Sequence, residues 1–138
     1  MIILDTNVLS ALMRQTPDRE VIEWLDDQPR SSIWITSITI LEVQFGLQIM
    51  LAGKRRSLLM QGFEALLERI GGRVAGFDEA AARQAAELMA VRQRKGQPGD
   101  LRDTMIAGIA IAHRATLATR NVVHFNDIAV SVVNPWTI

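Results

Sequence analysis

The chain has 138 residues, 49% of them hydrophobic and 22% charged, a size and balance that give one compact domain with a sizeable core and leave no case for disorder. With no cysteine and two histidines, a disulfide scaffold, a thiolate metal site and a cysteine nucleophile are excluded and a histidine-rich zinc site is disfavoured. Formal net charge is zero, so a generic basic coat for nucleic acid is not indicated, and the local clusters Lys54-Arg55-Arg56, Arg92 with Arg94-Lys95, and Arg114 with Arg120 read as solvated faces.

The chain opens on an apolar strand, Met1–Leu4, that runs straight into Asp5-Thr6-Asn7. A short helix follows through Val8, Leu9, Ala11 and Leu12, and Thr16-Pro17-Asp18 ends it and caps the next, Asp18–Asp27. After a turn at Gln28–Ser31, the β-branched and aromatic run Ile33–Thr36 is a second strand. Ser37 is the expected N-cap of a helix that carries Ile38, Leu41, Phe45 and Ile49 on one side and stops at Gly53. Ser57–Ile70 has helical apolar spacing and is stopped by Gly71-Gly72. Val74–Phe77 is a weak third strand, and Asp78 caps an alanine-rich helix to about Arg94. Past the loop Gly96–Gly99 comes a helix over about Leu101–Arg114, rich in small residues that let it sit close to a sheet. Thr116–Thr119 and Ile128–Val133 complete four to five strands.

Strands alternating with helices predict an α/β fold with a mostly parallel sheet covered on both faces. The N-terminus lacks a basic region and does not read as a signal peptide. Ile33–Ala52 is the only stretch long enough to suggest a membrane span, and its Glu42, Gln44 and Gln48 argue instead for a strand and a half-buried helix. The expected location is the cytoplasm, without membrane contact.

Ligands in open α/β sheets sit outside the carboxyl ends of the strands. Asp5 follows strand one, Glu42 lies in the helix after strand two, and Asp103 sits in the first turns of the small-residue helix, so all three belong near that edge. Asn121, after strand four, could add a neutral oxygen. Each has an ordinary reading alone: Asp5 as a cap, Glu42 as a solvent-facing helix residue, Asp103 as a first-turn acid favoured by the helix dipole, Asn121 as a turn residue. Together they point to a carboxylate-lined pocket. Clustered carboxylates repel one another, and hard divalent cations prefer oxygen ligands, so a counter-ion such as Mg²⁺ is expected. Other chemistries lack support. An N-terminal aspartate phosphatase wants a second Asp where Asn7 stands, Gly53-Lys54 lacks the spacing of a phosphate loop, and no dinucleotide-binding glycine pattern follows strand one. His113 and His124 read as packing residues, Arg120, nearer the acids, as the candidate for a phosphate contact, and Trp24 and Trp136 as core or interface.

The segments Ile-Leu-Asp5-Thr6-Asn7-Val8-Leu9, Ser37-Ile38-Thr39-Ile40-Leu41-Glu42-Val43 with Gly46, Asp103-Thr104-Met105-Ile106-Ala107, and Leu117-Ala118-Thr119-Arg120-Asn121 with His124-Phe125 resemble a PIN-domain ribonuclease. The likeness extends to VapC-type toxins of bacterial toxin–antitoxin modules, and the closing Asn134-Pro135-Trp136 is similar to their FitB-like branch. This resemblance implies a single PIN-like, Rossmann-like three-layer sandwich over residues 1–138. It implies a Mg²⁺-dependent endoribonuclease, with Mn²⁺ as a substitute, that hydrolyses RNA phosphodiesters by water activated at the ion. Asp5, Glu42 and Asp103 match the family's metal-binding acids. Thr6 and Asn7 match the residues that support the first of them by hydrogen bonding. The fourth position, often Asp in the family, is Asn121 here, which lowers the site's negative charge and favours one firmly held ion. The resemblance also implies a homodimer, a cognate antitoxin that inserts a segment near the acids, and operator DNA reached only through that antitoxin. Asn121 keeps one alternative open: a weakly catalytic or inactive module acting mainly in an antitoxin-held, DNA-associated regulatory complex.

Overall fold

The apolar start of the chain becomes the middle strand of a sheet. In the computed structural model, which describes residues 1–138, β1 (Ile2–Leu4) lies between β2 (Ile33–Thr36) and β4 (Thr116–Ala118). β3 (Val74–Ala75) and β5 (Val132–Val133) form the edges, giving the order β3-β2-β1-β4-β5. Every neighbouring pair is parallel, with Ile3 opposite Trp34 on one side and Leu117 on the other. Parallel strands need crossover helices, and a sheet so covered is apolar on both faces. β1 meets that demand by the two-residue alternation of a strand. Leu4 packs into a cluster built with α1 (Thr6–Met13), α2 (Arg19–Asp26), α3 (Ser37–Ile49) and α4 (Lys54–Ile70). Ile3 packs into a second cluster built with α5 (Glu79–Arg94) and α6 (Leu101–His113). The result is the expected three-layer α/β sandwich.

The strand order fixes where a ligand can sit. From β1 the chain winds outward through β2 to β3, then returns to β4 on the other side of β1 and continues to β5. Winding reverses between β1 and β4, and the crevice at such a reversal, beyond the carboxyl ends of the strands, is the usual ligand position. Asp5 closes β1 there, its N–H donating to Ala118 O at 2.8 Å.

Several elements differ from the sequence reading. Thr36 rather than Ser37 caps α3, its Oγ1 accepting from the Thr39 N–H at 3.1 Å, while the Ser37 hydroxyl accepts from the Phe77 N–H. Asp18 precedes α2 without capping it through its side chain and accepts from Trp136 Nε1 at 2.8 Å instead. α4 starts at Lys54, three residues before the expected Ser57. β5 is confined to Val132–Val133, because the chain before it turns repeatedly after a 3₁₀ segment, Val122–Phe125. His113 is exposed at the end of α6 rather than packed, while Trp24 is a core residue, one of its two expected roles. The stripe expected to bury α3 points outward: Leu41, Phe45 and Ile49 are 53%, 54% and 68% exposed, while Ile38, Thr39, Val43 and Leu47 face in. The small residues of α6 serve α5 as well as the sheet. A Cβ at Gly108 would lie 2.6 Å from Ala81 O and 2.8 Å from Ala85 Cβ, so the two helices approach as closely as they do only because that position is glycine. No helix is long and apolar enough to cross a membrane.

Candidate functional site

Asp5 is the N-cap of α1, fixed on one side by β1 and on the other by the helix it starts. Its Oδ1 accepts from the Thr6 N–H at 2.8 Å, and its Oδ2 accepts from Thr119 Oγ1 at 2.7 Å and Asn7 Nδ2 at 3.3 Å. Although only 4% exposed, it has no cationic partner. Its pKa rises from 3.8 to about 6, chiefly because burial penalises the charged form. The hydrogen bonds from Thr119 and Thr6 oppose that rise, and the negative charges of Asp103 and Glu42 add to it. Those two acids are thus near enough for Asp5 to feel both.

Glu42 projects from the second turn of α3, half-buried. Its Oε1 accepts from Thr6 Oγ1 at 2.7 Å, and the Thr6 hydroxyl also meets Thr39 Oγ1 at 3.0 Å. Its Oε2 faces Arg102 Nε at 3.7 Å. Thr6 therefore links the first two acids, giving its amide to Asp5 and its hydroxyl to Glu42. Asp103 lies in the first turn of α6, its N–H donating to Asp100 Oδ1 at 3.0 Å and its Oδ2 lying 3.3 Å from His124 Nδ1.

Asn7 uses both ends of its amide. Nδ2 donates to Asp5 and to Thr119 Oγ1, and Oδ1 accepts from the Arg120 N–H at 3.1 Å, stitching the end of β1 to the end of β4. Asn121 is exposed and engages through its backbone, donating its N–H to Thr119 Oγ1 at 3.1 Å. Arg120, the phosphate candidate, stacks on the Trp136 ring with 4.6 Å between guanidinium carbon and ring centroid.

The three acids and Asn121 thus occupy one edge, but no three Asp, Glu or His side chains close into a group that could hold a metal ion as they stand. The chemistry of the set suits a hard divalent cation: carboxylate oxygens, an amide oxygen within the same edge, no sulfur, and a buried acid whose ionisation lacks a compensating positive charge.

Three residues at this edge were not singled out from the sequence as part of it. Thr119 gives its only proton to Asp5 and accepts from Asn7 and Asn121, so it is the hub of the Asp5 network. Arg102 precedes Asp103 and turns toward Glu42. His124, read as loop packing, contacts Asp103. The available signal was position, since Thr119 ends a strand beside Asp5's strand and Arg102 shares a helical turn with an acid.

A groove of about 830 Å³ between α1, α3 and α4 begins at Thr6 and Glu42 and continues along Met13, Leu47, Arg14 and Arg55.

The PIN domain family model matches residues 2–130. The chain is 40% identical to the VapC ribonuclease Y4jK of Sinorhizobium fredii, over 99% of this chain and 98% of that one. It is 34% identical to the toxin FitB of Neisseria gonorrhoeae, over 99% of both. A solved structure of FitAB bound to a DNA fragment superposes with a TM-score of 0.90 at 34% identity, covering 100% of this chain and 97% of the other. A family match over nearly the whole length, with relatives collinear from end to end, establishes that this chain belongs to the PIN-domain family and strongly resembles the VapC and FitB toxins of bacterial toxin–antitoxin systems.

Proposed function

We propose that this protein is the toxin of a type II toxin–antitoxin module and acts as a Mg²⁺-dependent endoribonuclease, with Mn²⁺ able to substitute. The observation that carries the reading is Asp5, a carboxylate buried at the β1/β4 switch point with no cationic partner, its proton affinity raised chiefly by that burial and to a lesser extent by the charges of Asp103 and Glu42. Such a site is incomplete without a cation. Asp5, Glu42 and Asp103 would hold the ion, with Asn121 as a neutral oxygen at its margin. When bound, the ion supplies acidification of a water and charge for the phosphoryl oxygens of RNA.

The chain's own residues do the rest. Thr6 and Asn7 aim the Asp5 and Glu42 oxygens through the hydrogen bonds described. Thr119 keeps Asp5 Oδ2 turned to the edge. Arg102, half-exposed beside Glu42, is placed to contact a substrate phosphate. Arg120 lies over Trp136, which engages the face of its guanidinium and leaves the in-plane N–H groups free for a phosphate.

The relatives support a reading of the partners. A relative is named a VapC ribonuclease, and FitAB is solved on DNA. For this chain we infer RNA as substrate, a cognate antitoxin, a homodimer, and operator DNA contacted through the antitoxin. The groove that starts at Glu42 suits an inserted antitoxin segment, having an apolar wall for anchoring and Arg14 and Arg55 for acidic side chains.

The test is direct. Purified protein is incubated with single-stranded RNA under chelation, then with Mg²⁺ or Mn²⁺ restored. Cleavage should vanish and return, and Asp103→Asn should lower it by at least two orders of magnitude. Cleavage that persists in chelator after dialysis would defeat the metal mechanism. In cells, induced expression should stop growth, and Asp5→Ala or Asp103→Ala should release it. Asn121 favours a second reading, in which cleavage is feeble and the protein works mainly inside an antitoxin–DNA complex. In that case, expression leaves growth unaffected while antitoxin binding persists.

A further inference from the structure

Arg92 stands apart from the other basic residues. Its sequence context, with Arg94 and Lys95, reads as a solvated face, but the residue is 5% exposed. Nε and Nη2 form a fork on Asp127, with both contacts at 2.8 Å. Nη1 donates to Thr104 Oγ1 at 3.0 Å, and Nη2 donates also to His124 O at 2.9 Å. The acceptors lie on two pieces of chain, Thr104 on α6 and His124 with Asp127 on the segment that follows β4. Thr104 is in the first turn of α6, next to Asp103, and its hydroxyl donates onward to Asp100 O at 2.8 Å. His124 closes on Asp103 through its ring, and its N–H returns to Asn121 O at 3.0 Å. Gly99, whose φ of +69° favours glycine, lies against the guanidinium, and a Cβ there would sit tightly, 3.2 Å from Arg92 Nη1.

We propose that Arg92 is a positioning residue for the Asp103 half of the site, locking the first turn of α6 and the Asn121–His124 segment into one rigid unit. The inference rests on the metal-site reading above. A planar guanidinium can bridge three acceptors in fixed directions, and an ammonium cannot. Groups one step behind metal ligands commonly change metal affinity or activity by about 10–100-fold when altered. Asp5 and Glu42 are held chiefly by Thr6, Asn7 and Thr119, and meet the clamped unit only through the Asn121 N–H on Thr119 and the 3.7 Å approach of Arg102 to Glu42.

The experiment compares wild type, Arg92→Lys and Leu88→Ala, the last removing a buried α5 side chain that belongs to the core. Two quantities are read on the full-length chain: Mn²⁺ affinity by electron paramagnetic resonance of the free ion, and amide hydrogen exchange in metal-free buffer. Arg92→Lys should weaken Mn²⁺ about tenfold or more, speed exchange at Thr104 and His124, and leave Val8 and Leu9 protected. It should also lower kcat for RNA more than it changes KM. Leu88→Ala, even with a lower melting temperature, should keep Mn²⁺ affinity well inside the roughly tenfold loss that marks a disturbed group behind a ligand. The proposal fails if Arg92→Lys leaves exchange at Thr104 and His124 unchanged, or if the two variants weaken Mn²⁺ equally. Absence of Mn²⁺ binding by wild type would instead overturn the metal-site reading, while the exchange comparison would still decide whether Arg92 locks the two segments.

Discussion

Asp5 is held by three donors and still resists ionisation, because removing a carboxylate from water outweighs neutral hydrogen bonds when no cation is adjacent. The consequence for stability has a definite sign. With a folded pKa of about 6 against 3.8 for an unperturbed aspartate, the metal-free folded protein holds the Asp5 proton over a range where the unfolded chain has lost it. Stability from this group is fully present below about pH 4, falls as pH rises toward 6, and is flat above. The shift corresponds to roughly 2–3 kcal/mol. Asp5→Asn keeps an acceptor for the Thr6 amide and removes the charge, and Asn caps helices as well as Asp does. In urea titrations with chelator, Asp5→Asn should therefore be more stable than wild type at pH 7.5, with the gap shrinking as pH falls from 6 to 4. A wild type that is the more stable protein at pH 7.5 would contradict this account. At this scale the sequence was partly legible. An Asp at the end of an opening apolar strand announces a site by itself, whereas its partner Thr119 is 114 positions away and acquires its role only when β4 pairs with β1. Arg92 was misread for the same reason, since Asp127 and Thr104 are contributed by distant segments and neighbouring Arg94 and Lys95 do face solvent.

At the scale of elements, helices and strands were readable where one face is apolar and obscure where apolar residues surround the axis. α3 is the clear case. Ile38, Leu41, Phe45 and Ile49 have helical spacing, but so do Thr39, Val43 and Leu47, and periodicity cannot choose between them. Hydrogen bonding chooses: Thr39 is tied to Thr36 and Thr6, and Glu42 to Thr6, which turns Val43 and Leu47 inward and Leu41, Phe45 and Ile49 outward. An exposed apolar stripe at positions four apart along one helix is suited to meeting its own copy across a two-fold axis, where the same patch serves both subunits. If α3 is the contact of the inferred homodimer, Phe45→Glu places a charge at its middle and should convert the dimer to monomer in sedimentation equilibrium, with the circular dichroism spectrum retained. A dimer unchanged by that substitution would place the contact elsewhere.

For the whole molecule, alternation of strand and helix was enough to predict a parallel three-layer sandwich, but not its strand order, because nothing local states which strands become neighbours. The order matters most for function, since it puts the end of β1 beside the end of β4 and brings α3 and α6 to the same edge. It also couples the site to global stability. An ion that binds the folded chain and not the unfolded one stabilises it by RT ln(1 + [L]/Kd), about 2.7 kcal/mol at a hundredfold excess over Kd. Protons compete for Asp5 below about pH 6, so this gain must fade on acidification. Relative to Asp5→Asn, which cancels the opposite-signed contribution of Asp127, metal-free protein should lose stability as pH rises from 4 to 6, whereas protein in excess Mn²⁺ should gain it over the same interval. Thermal melts at pH 5 and pH 7.5, with Mn²⁺ or chelator, check this reversal. Asp103→Asn should lose most of the Mn²⁺ increment at pH 7.5 while keeping the metal-free slope, because Asp103's charge is only a minor cause of the Asp5 shift. Equal melting temperatures with and without Mn²⁺ at pH 7.5 would mean that the carboxyl edge holds no ion, and an increment preserved in Asp103→Asn would mean that it holds one without Asp103.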